Sequence, residues 1–137
     1  PGTDGQKMSK SKNNVIDIFQ NDKALRKQIM SIQTDSTPLE SPKNWKNCNC
    51  FAIYSLLASD ENIQAMKENY ESGGYGYGHA KQALFELIFE TFAEERKRYN
   101  HYMAHPEEVE KALAIGAKKA TVVANNVLNR VRKKLGY

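Results

Sequence analysis

Residues 7–11 read Lys-Met-Ser-Lys-Ser and place two ammonium groups and two hydroxyl groups within five positions, after a turn-forming PGTDGQ stretch. Cations and hydroxyls on a flexible loop can stabilise the charge that develops on a triphosphate as pyrophosphate leaves. We therefore predict that Lys7, Met8, Ser9, Lys10 and Ser11 line a triphosphate. The alternative is a solvated chain end, and the composition of residues 5–14 predicts poor order.

A second candidate site follows from the distribution of charge. Residues 111–137 carry seven of the 20 Lys and Arg residues and none of the 16 Asp and Glu residues, whereas residues 1–110 carry 13 basic against 16 acidic residues. A basic element on a near-neutral body attracts phosphate backbones or anionic surfaces. On a helix, one polar face would present Lys111, Lys118, Asn125, Asn129, Arg132 and Lys133.

The residues that most often bind metals do not form a metal site here. Cys48 and Cys50 are one residue apart in an apolar run and match no zinc spacing, so we predict two buried free thiols. His101 and His105 are four residues apart but have no third ligand other than Glu107 or Glu108. The sequence therefore predicts no metal site, and reduced cysteines suit a reducing compartment.

The elements that must position these residues are helices. Apolar spacing predicts a first helix capped by Asn21 or Asp22, a second over CNCFAIYSLLA, and a third that begins at Ser59 or Asp60. A helix of about 25 residues then follows the GGYGYG segment. A last helix runs from Pro106 to Gly136, with proline in the favoured first position.

The two long helices predict an antiparallel hairpin, so the fold class is all-α, a helical bundle built on that hairpin. An inward stripe on the last helix consists of apolar and small residues: Val109, Leu113, Ala117, Ala120, Ala124, Val127, Val131 and Leu135. We interpret GGYGYG as a tight turn rather than a base-stacking platform. Trp45 is predicted to be partly buried, and the basic run at 96–98 fits a solvated helix face as well as an RNA contact.

Several separated motifs point to one family. The segments DGQKMSKSKNN, IQTDSTP, GYGHAK, ERKRY, IGAKKA and VLNRVRK follow one another along essentially the whole chain. KMSKS resembles the second signature of the class I aminoacyl-tRNA synthetases and by itself leaves the amino-acid specificity open. TDS, GYGHAK and IGAKKA resemble motifs of the tryptophan-specific members of that class. Together they are similar to the C-terminal portion of bacterial-type tryptophanyl-tRNA synthetases.

The resemblance implies a fragment. Residues 1–20 would be the KMSKS loop and its connector, and residues 21–137 a helical anticodon-binding domain. The Rossmann-type catalytic domain is absent, because neither a HIGH-like motif nor a parallel βαβ pattern occurs in this sequence. The chain alone is therefore predicted to be inactive. In the full-length protein, Lys7 and Lys10 would act in catalysis.

The resemblance also implies the partners. The full-length enzyme would use ATP with magnesium as a substrate, together with tryptophan and tRNA(Trp), and would be a homodimer mainly through the absent domain. No tightly bound cofactor is expected in the fragment. Without a secretory signal or an apolar run of about 18 residues, the expected location is cytoplasmic and no membrane contact is predicted. The alternative is a free-standing, non-catalytic helical RNA-binding module.

Overall fold

The computed structural model describes residues 1–136, and among them helices are the only regular secondary structure. The α-helices are α1 (Asp22–Met30), α2 (Asn49–Tyr54), α3 (Asp60–Ser72), α4 (Tyr77–Thr91), α5 (Ala93–Ala104) and α6 (Pro106–Leu135). Short 3-10 turns at Lys10–Lys12 and Trp45–Asn47 precede α1 and α2. The prediction of an all-α fold is confirmed.

The helix ends agree with the capping residues in the sequence. Asn21 Oδ1 accepts a backbone N–H of the first turn of α1 at 2.9 Å, and Ser59 Oγ does the same for α3 at 3.3 Å. These acceptors satisfy N–H groups that have no partner within the helix. α6 begins with Pro106 in its first turn and ends at Gly136, whose φ of 84° is left-handed. Local sequence therefore fixes where these helices begin and end.

The chain divides into two compact units, Pro1–Arg96 and a second that begins at Lys97. The hydrophobic core lies in the first unit, which includes residues 1–20, and is built from α1, α2, α3 and α4. Its most deeply buried apolar side chains are Leu25, Ile29, Ile32, Cys50, Tyr70, Ala80, Leu84 and Ile88. Full burial of one large apolar side chain contributes about 1.5–3 kcal/mol. This core is the platform on which the residues before α1 rest.

A buried lysine fixes the long segment between α1 and α2. Lys43 is 4% exposed, and its Nζ donates to the carbonyl oxygens of Pro38, Leu39 and Ser41 at 3.1, 3.1 and 3.2 Å. Its backbone N–H donates to the Tyr70 carbonyl at 2.7 Å. Charge-assisted hydrogen bonds of this kind compensate for the desolvation of an ammonium group. The segment is thereby attached to α3 despite its loop-like composition.

The glycine-rich segment between α3 and α4 is a tight turn, as predicted. Gly73 has a φ of 74°, and a Cβ at this position would lie 2.4 Å from the Glu40 carbonyl oxygen. The rings of Tyr75 and Tyr77 each lie with their centroids 6.0 Å from that of Tyr70. These tyrosines therefore pack on the core rather than form an open platform.

The single helix of about 25 residues predicted after this turn is wrong, because the structure has two helices. Phe92, with φ of −105° and ψ of 18°, separates α4 from α5. Arg96, on the first turn of α5, is 9% exposed; its Nη2 lies 2.6 Å from Asp22 Oδ1, and its Nη1 donates to the Ile18 carbonyl. A solvated face is therefore wrong for Arg96, since its guanidinium binds residues more than 70 positions away in sequence.

The inward stripe predicted on α6 is not buried. Val109, Leu113 and Val131 are 39%, 66% and 44% exposed, and no described residue of α6 is buried. Periodicity places these side chains on one face, but it does not supply the element that would cover them. Within residues 1–136, no helix combines the length and apolar character needed to cross a membrane.

Candidate functional site

The side chains of the Lys7–Ser11 segment are accessible. Only Ser9 is half-buried, and the other four residues are exposed. Neither Lys7 nor Lys10 takes part in an ion pair with any described carboxylate. Both ammonium groups are therefore available to an external anion, which is the arrangement that the sequence predicts for a triphosphate-binding loop.

The backbone of this segment is a closed turn. Lys10–Lys12 forms a 3-10 turn, and the Asn13 N–H donates to the Lys10 carbonyl at 3.2 Å with Asn13 at a left-handed φ of 52°. The hydroxyl oxygens of Ser9 and Ser11 are 2.8 Å apart and share a hydrogen bond. The two serine hydroxyls thus form a hydrogen-bonded pair within the loop.

Met8 has a different environment from its polar neighbours. Its side chain lines an apolar pocket whose other members come from the connector, from α2 and the residues just after it, and from α4 and the residue just after it: Ile16, Ile18, Ile53, Leu56, Leu57, Ile88 and Phe92. An apolar side chain in such a place anchors a polar loop to the core. The contact of Met8 with ATP stays a prediction; in the structure its side chain is 41% exposed and lies against this apolar pocket.

Hydrogen bonds hold the turn before the loop. The Gly2 N–H donates to the Gln6 carbonyl at 2.7 Å, and the Gln6 N–H donates to Asp4 Oδ1 at 3.0 Å. The side chain of Asn14 also donates to Asp4 Oδ1, at 2.7 Å. The Asn14 amide and then the Gln6 N–H lower the pKa of Asp4 from its ordinary value. Asp4 therefore stays a carboxylate and a strong acceptor at neutral pH.

Two motifs that carried the resemblance touch each other. The Tyr77 hydroxyl, from GYGHAK, donates to Asp35 Oδ1, from IQTDSTP, at 2.7 Å. Lys81, also from GYGHAK, donates from Nζ to the Met30 carbonyl at 3.1 Å. Burial, followed by the bond to Asp35, raises the pKa of Tyr77 to about 12. These motif residues therefore stabilise the fold of the first unit.

Trp45 is partly buried, as predicted. Its Nε1 donates to Glu71 Oε1 at 2.8 Å, and its ring centroid lies 5.3 Å from that of Phe51. The ammonium groups of Lys67 and Lys46 lie 4.7 and 5.4 Å from the centre of the indole ring. Both are within the range of a cation–π contact. The indole of Trp45 thus makes its hydrogen bond, its aromatic contact and its cation–π contacts within the protein.

Cys48 and Cys50 are buried free thiols, as predicted. Burial raises the pKa of Cys50 to about 12, so this thiol is protonated and unreactive at neutral pH. The rings of His101 and His105 make an edge-to-face contact with centroids 4.6 Å apart, and His101 Nε2 lies 3.1 Å from Glu108 Oε2. No group of three or more His, Cys, Asp or Glu side chains within the described residues is arranged to hold a metal ion.

The basic face of α6 is exposed. The residues predicted to contact RNA are Lys111, Lys118, Asn125, Asn129, Arg132 and Lys133, and all lie within α6. Their exposure alone does not select this face, because the other faces of α6 are exposed as well. What distinguishes it is charge, since no Asp or Glu occurs after Glu110. RNA contact by these six residues stays a prediction.

Comparison with known proteins assigns the chain to a family. The family described as tRNA synthetases class I (W and Y) matches residues 1–93, which include the whole Lys7–Ser11 segment. The chain belongs to this family. The match covers more than half of the chain and weighs against the alternative of an unrelated RNA-binding module.

The individual relatives are tryptophan-tRNA ligases. The chain is 45% identical over 135 residues to a tryptophan-tRNA ligase of Campylobacter jejuni. The aligned residues make up 98% of this chain and 42% of the relative. The chain is 43% identical to that of Rhodopirellula baltica and 37% identical to that of Pseudomonas aeruginosa, and covers 42% and 30% of these proteins. The chain thus spans less than half the length of these relatives.

A solved structure agrees over nearly the whole chain. The crystal structure of tryptophanyl-tRNA synthetase from Campylobacter jejuni complexed with ADP and tryptophan matches 99% of this chain and 43% of that protein, with 45% identity and a TM-score of 0.95. A similarity of this extent supports the helical architecture described above.

Three residues owe their importance to burial, which the sequence pattern does not reveal. Asn14 is 2% exposed and bonds to the Lys7–Ser11 segment, and Arg96 and Lys43 are buried ions held by backbone carbonyls. For Asn14 a signal was available, since it is the last polar residue before the apolar stretch VIDIF. For Lys43 and Arg96 no local pattern distinguishes a buried cation from a solvated one.

Proposed function

We propose that this chain is the C-terminal portion of a tryptophan-tRNA ligase and supplies its KMSKS loop and its helical tRNA-binding region. The observation that carries the proposal is the Lys7–Ser11 loop, with two unpaired ammonium groups, in a chain that is 45% identical to a tryptophan-tRNA ligase. The complete enzyme joins tryptophan to tRNA(Trp) with ATP. It is cytoplasmic and homodimeric, with the dimer formed mainly by the part that this chain lacks.

The loop would act on the leaving group of the first reaction. A tryptophan carboxylate oxygen attacks the α-phosphorus of ATP, the bond from that phosphorus to the α,β-bridging oxygen breaks, and pyrophosphate departs. Lys7 and Lys10 would stabilise the charge that develops on pyrophosphate, and the one O–H of the Ser9–Ser11 pair that is not used within the pair would donate a hydrogen bond. ATP enters with magnesium as substrate. The loop therefore contributes positioning and charge, and the tryptophan pocket lies elsewhere in the enzyme.

The first test is tryptophan-dependent ATP–pyrophosphate exchange. We expect activity in the complete protein that contains this sequence and none in the 137-residue chain alone, because orientation of the carboxylate supplies much of the rate enhancement. Purification from a host whose own ligase carries a separable tag removes background activity. Exchange by the isolated chain, or its absence in the complete and folded protein, would contradict the proposal.

The tRNA partner would meet α6. Lys111, Lys118, Arg132 and Lys133 would bind phosphates of the anticodon arm, and Asn125 and Asn129 are polar enough to reach base edges. A solvated helix with cations near its C-terminus explains Arg132 and Lys133, because the helix dipole favours them. It does not explain Lys118, which lies more than four turns before the last residue of α6.

We expect Lys118→Glu with Arg132→Glu in the complete enzyme to weaken tRNA binding and reduce the slope of log affinity against log salt by about 2. Adenylate formation stays within about twofold of wild type, since α6 does not contact ATP in this proposal. Filter binding at several salt concentrations measures the slope. The matched control is Lys23→Glu with Lys27→Glu, two exposed lysines on α1 with the same change in net charge. If both pairs of substitutions weaken tRNA binding equally, the effect is one of general charge, and the proposal that this face of α6 binds tRNA is refuted.

A further inference from the structure

The side-chain amide of Asn14 is buried and hydrogen-bonded to the backbone of the KMSKS loop. The residue is 2% exposed, and its Oδ1 accepts the Ser9 backbone N–H at 2.7 Å. Its Nδ2 donates to the Lys7 carbonyl at 3.1 Å and to Asp4 Oδ1 at 2.7 Å. One buried side chain thus binds the backbone on both sides of Met8 and satisfies both of its own polar atoms.

The position of Asn14 is in turn fixed by the body of the first unit. Its carbonyl accepts the Thr3 N–H at 2.9 Å, and the Thr3 carbonyl accepts the Gln33 N–H at 2.8 Å, just beyond α1. Gly2 packs so closely that a Cβ there would lie 2.4 Å from the Asn14 carbonyl oxygen. The Gly2 carbonyl accepts a hydrogen bond from Asn49 Nδ2 of α2 at 2.7 Å. The frame around Asn14 therefore extends from the loop to two helices.

The side chains of Lys7 and Lys10 have no comparable set of hydrogen bonds within the described residues. Lys7 and Lys10 are exposed and form no ion pair within the described residues, so their position relative to a ligand depends on the backbone that carries them. A displacement of about 1 Å in a positioning element can cost about 100-fold in rate. The side chain that fixes the backbone at positions 7 and 9 therefore influences where both ammonium groups act.

Resting on the function proposed above, we infer that Asn14 is a positioning residue for adenylate formation. It touches neither tryptophan nor ATP, and it acts through the loop backbone on Lys7 and Lys10. Its chemistry requires one acceptor and one donor in the same buried side chain. Aspartate keeps the acceptor for Ser9 but places a second carboxylate beside Asp4, and alanine loses both groups.

We expect Asn14→Ala in the complete enzyme to lower kcat for tryptophan-dependent exchange by about 10- to 100-fold, with KM for tryptophan within about twofold of wild type. The decisive readout is a mutant cycle with the variant that lacks both loop lysines, Lys7→Ala with Lys10→Ala. Because Asn14 acts through Lys7 and Lys10, adding Asn14→Ala to that variant is expected to slow it by at most about threefold further. The inference is overturned if the rate losses from Asn14→Ala and from the lysine substitutions multiply. It is also overturned if kcat of Asn14→Ala is within twofold of wild type.

Asn21→Ala is the matched control, since it also removes a side-chain acceptor from a backbone N–H, at the start of α1. It is expected to lower Tm while kcat is unchanged. If Asn14→Ala does not fold, Asn14→Asp replaces it. Aspartate keeps the acceptor for the Ser9 N–H but has no N–H to donate to the Lys7 carbonyl or to Asp4, so it is expected to lower kcat at least tenfold. A folded Asn14→Asp enzyme with kcat within twofold of wild type contradicts the inference.

Amide exchange separates this inference from the proposed function. In the 137-residue chain, the Ser9 amide is expected to exchange at least tenfold faster in Asn14→Ala than in wild type, while the Ala24 amide at the start of α1 is unchanged. An unchanged Ser9 amide overturns the role of Asn14, whatever the activity. A wild-type complete protein without tryptophan-dependent exchange refutes the proposed function instead.

Discussion

Replacing Lys10 with alanine in the complete enzyme is expected to lower the rate of adenylate formation by about 10²–10³-fold, the usual loss when one donor to a developing negative charge is removed. Lys10 is exposed, unpaired and held in a short 3-10 turn, so its ammonium group is free to follow the charge that forms on pyrophosphate. Tryptophan affinity should change little, because the proposed function places the tryptophan pocket outside this chain. Single-turnover formation of the adenylate measures the rate directly.

Lys12→Ala is the control for this experiment. Lys12 is exposed and belongs to the same turn, but it lies outside the signature. Its replacement is expected to leave the rate within about twofold of wild type, as for an exposed residue without a specific contact. A Lys10→Ala enzyme with a normal rate and weakened ATP binding would show that this lysine only holds the ground state.

Replacing Tyr70 with alanine is expected to cost about 3–5 kcal/mol of unfolding free energy, the range for deletion of a large buried aromatic. Tyr70 is 0% exposed, and its ring lies near those of Phe51, Tyr75 and Tyr77, with centroids 5.8 to 6.0 Å away. The backbone hydrogen bond from the Lys43 N–H to the carbonyl of residue 70 is kept in this variant, so the loss reports the side chain. Urea denaturation of the 137-residue chain, followed by circular dichroism, measures the change.

Tyr70→Phe separates the ring from the hydroxyl. The Tyr70 hydroxyl lies 3.4 Å from Cys48 Sγ, a weak partner, so its removal is expected to cost about 1 kcal/mol or less. Tyr102→Ala, at a position that is 49% exposed on α5, serves as the surface control and should stay within about 0.5 kcal/mol of wild type. A loss below about 1 kcal/mol for Tyr70→Ala would mean that α3 is not part of the stabilising core.

The sequence alone could not predict which charged side chains are buried, and Arg96 shows why. Its partners Asp22 and Ile18 are 74 and 78 positions away, and nothing in the neighbouring run of charged residues reveals that its side chain is buried. A buried ion is stabilised by acceptors brought to it by the fold. The same holds for Lys43, whose three carbonyl partners are local in sequence but converge only because the segment turns back on itself.

The sequence by itself determined the all-α class, the caps at Asn21 and Ser59, the tight glycine turn and the signature loop, because each is encoded within a few neighbouring residues. It also determined the family. Only the tertiary structure decided that the loop is framed by Asn14, that the helix after the glycine turn is interrupted at Phe92, and that the apolar stripe of α6 is exposed. Periodicity specifies which side chains share a face, whereas burial depends on which distant elements meet that face.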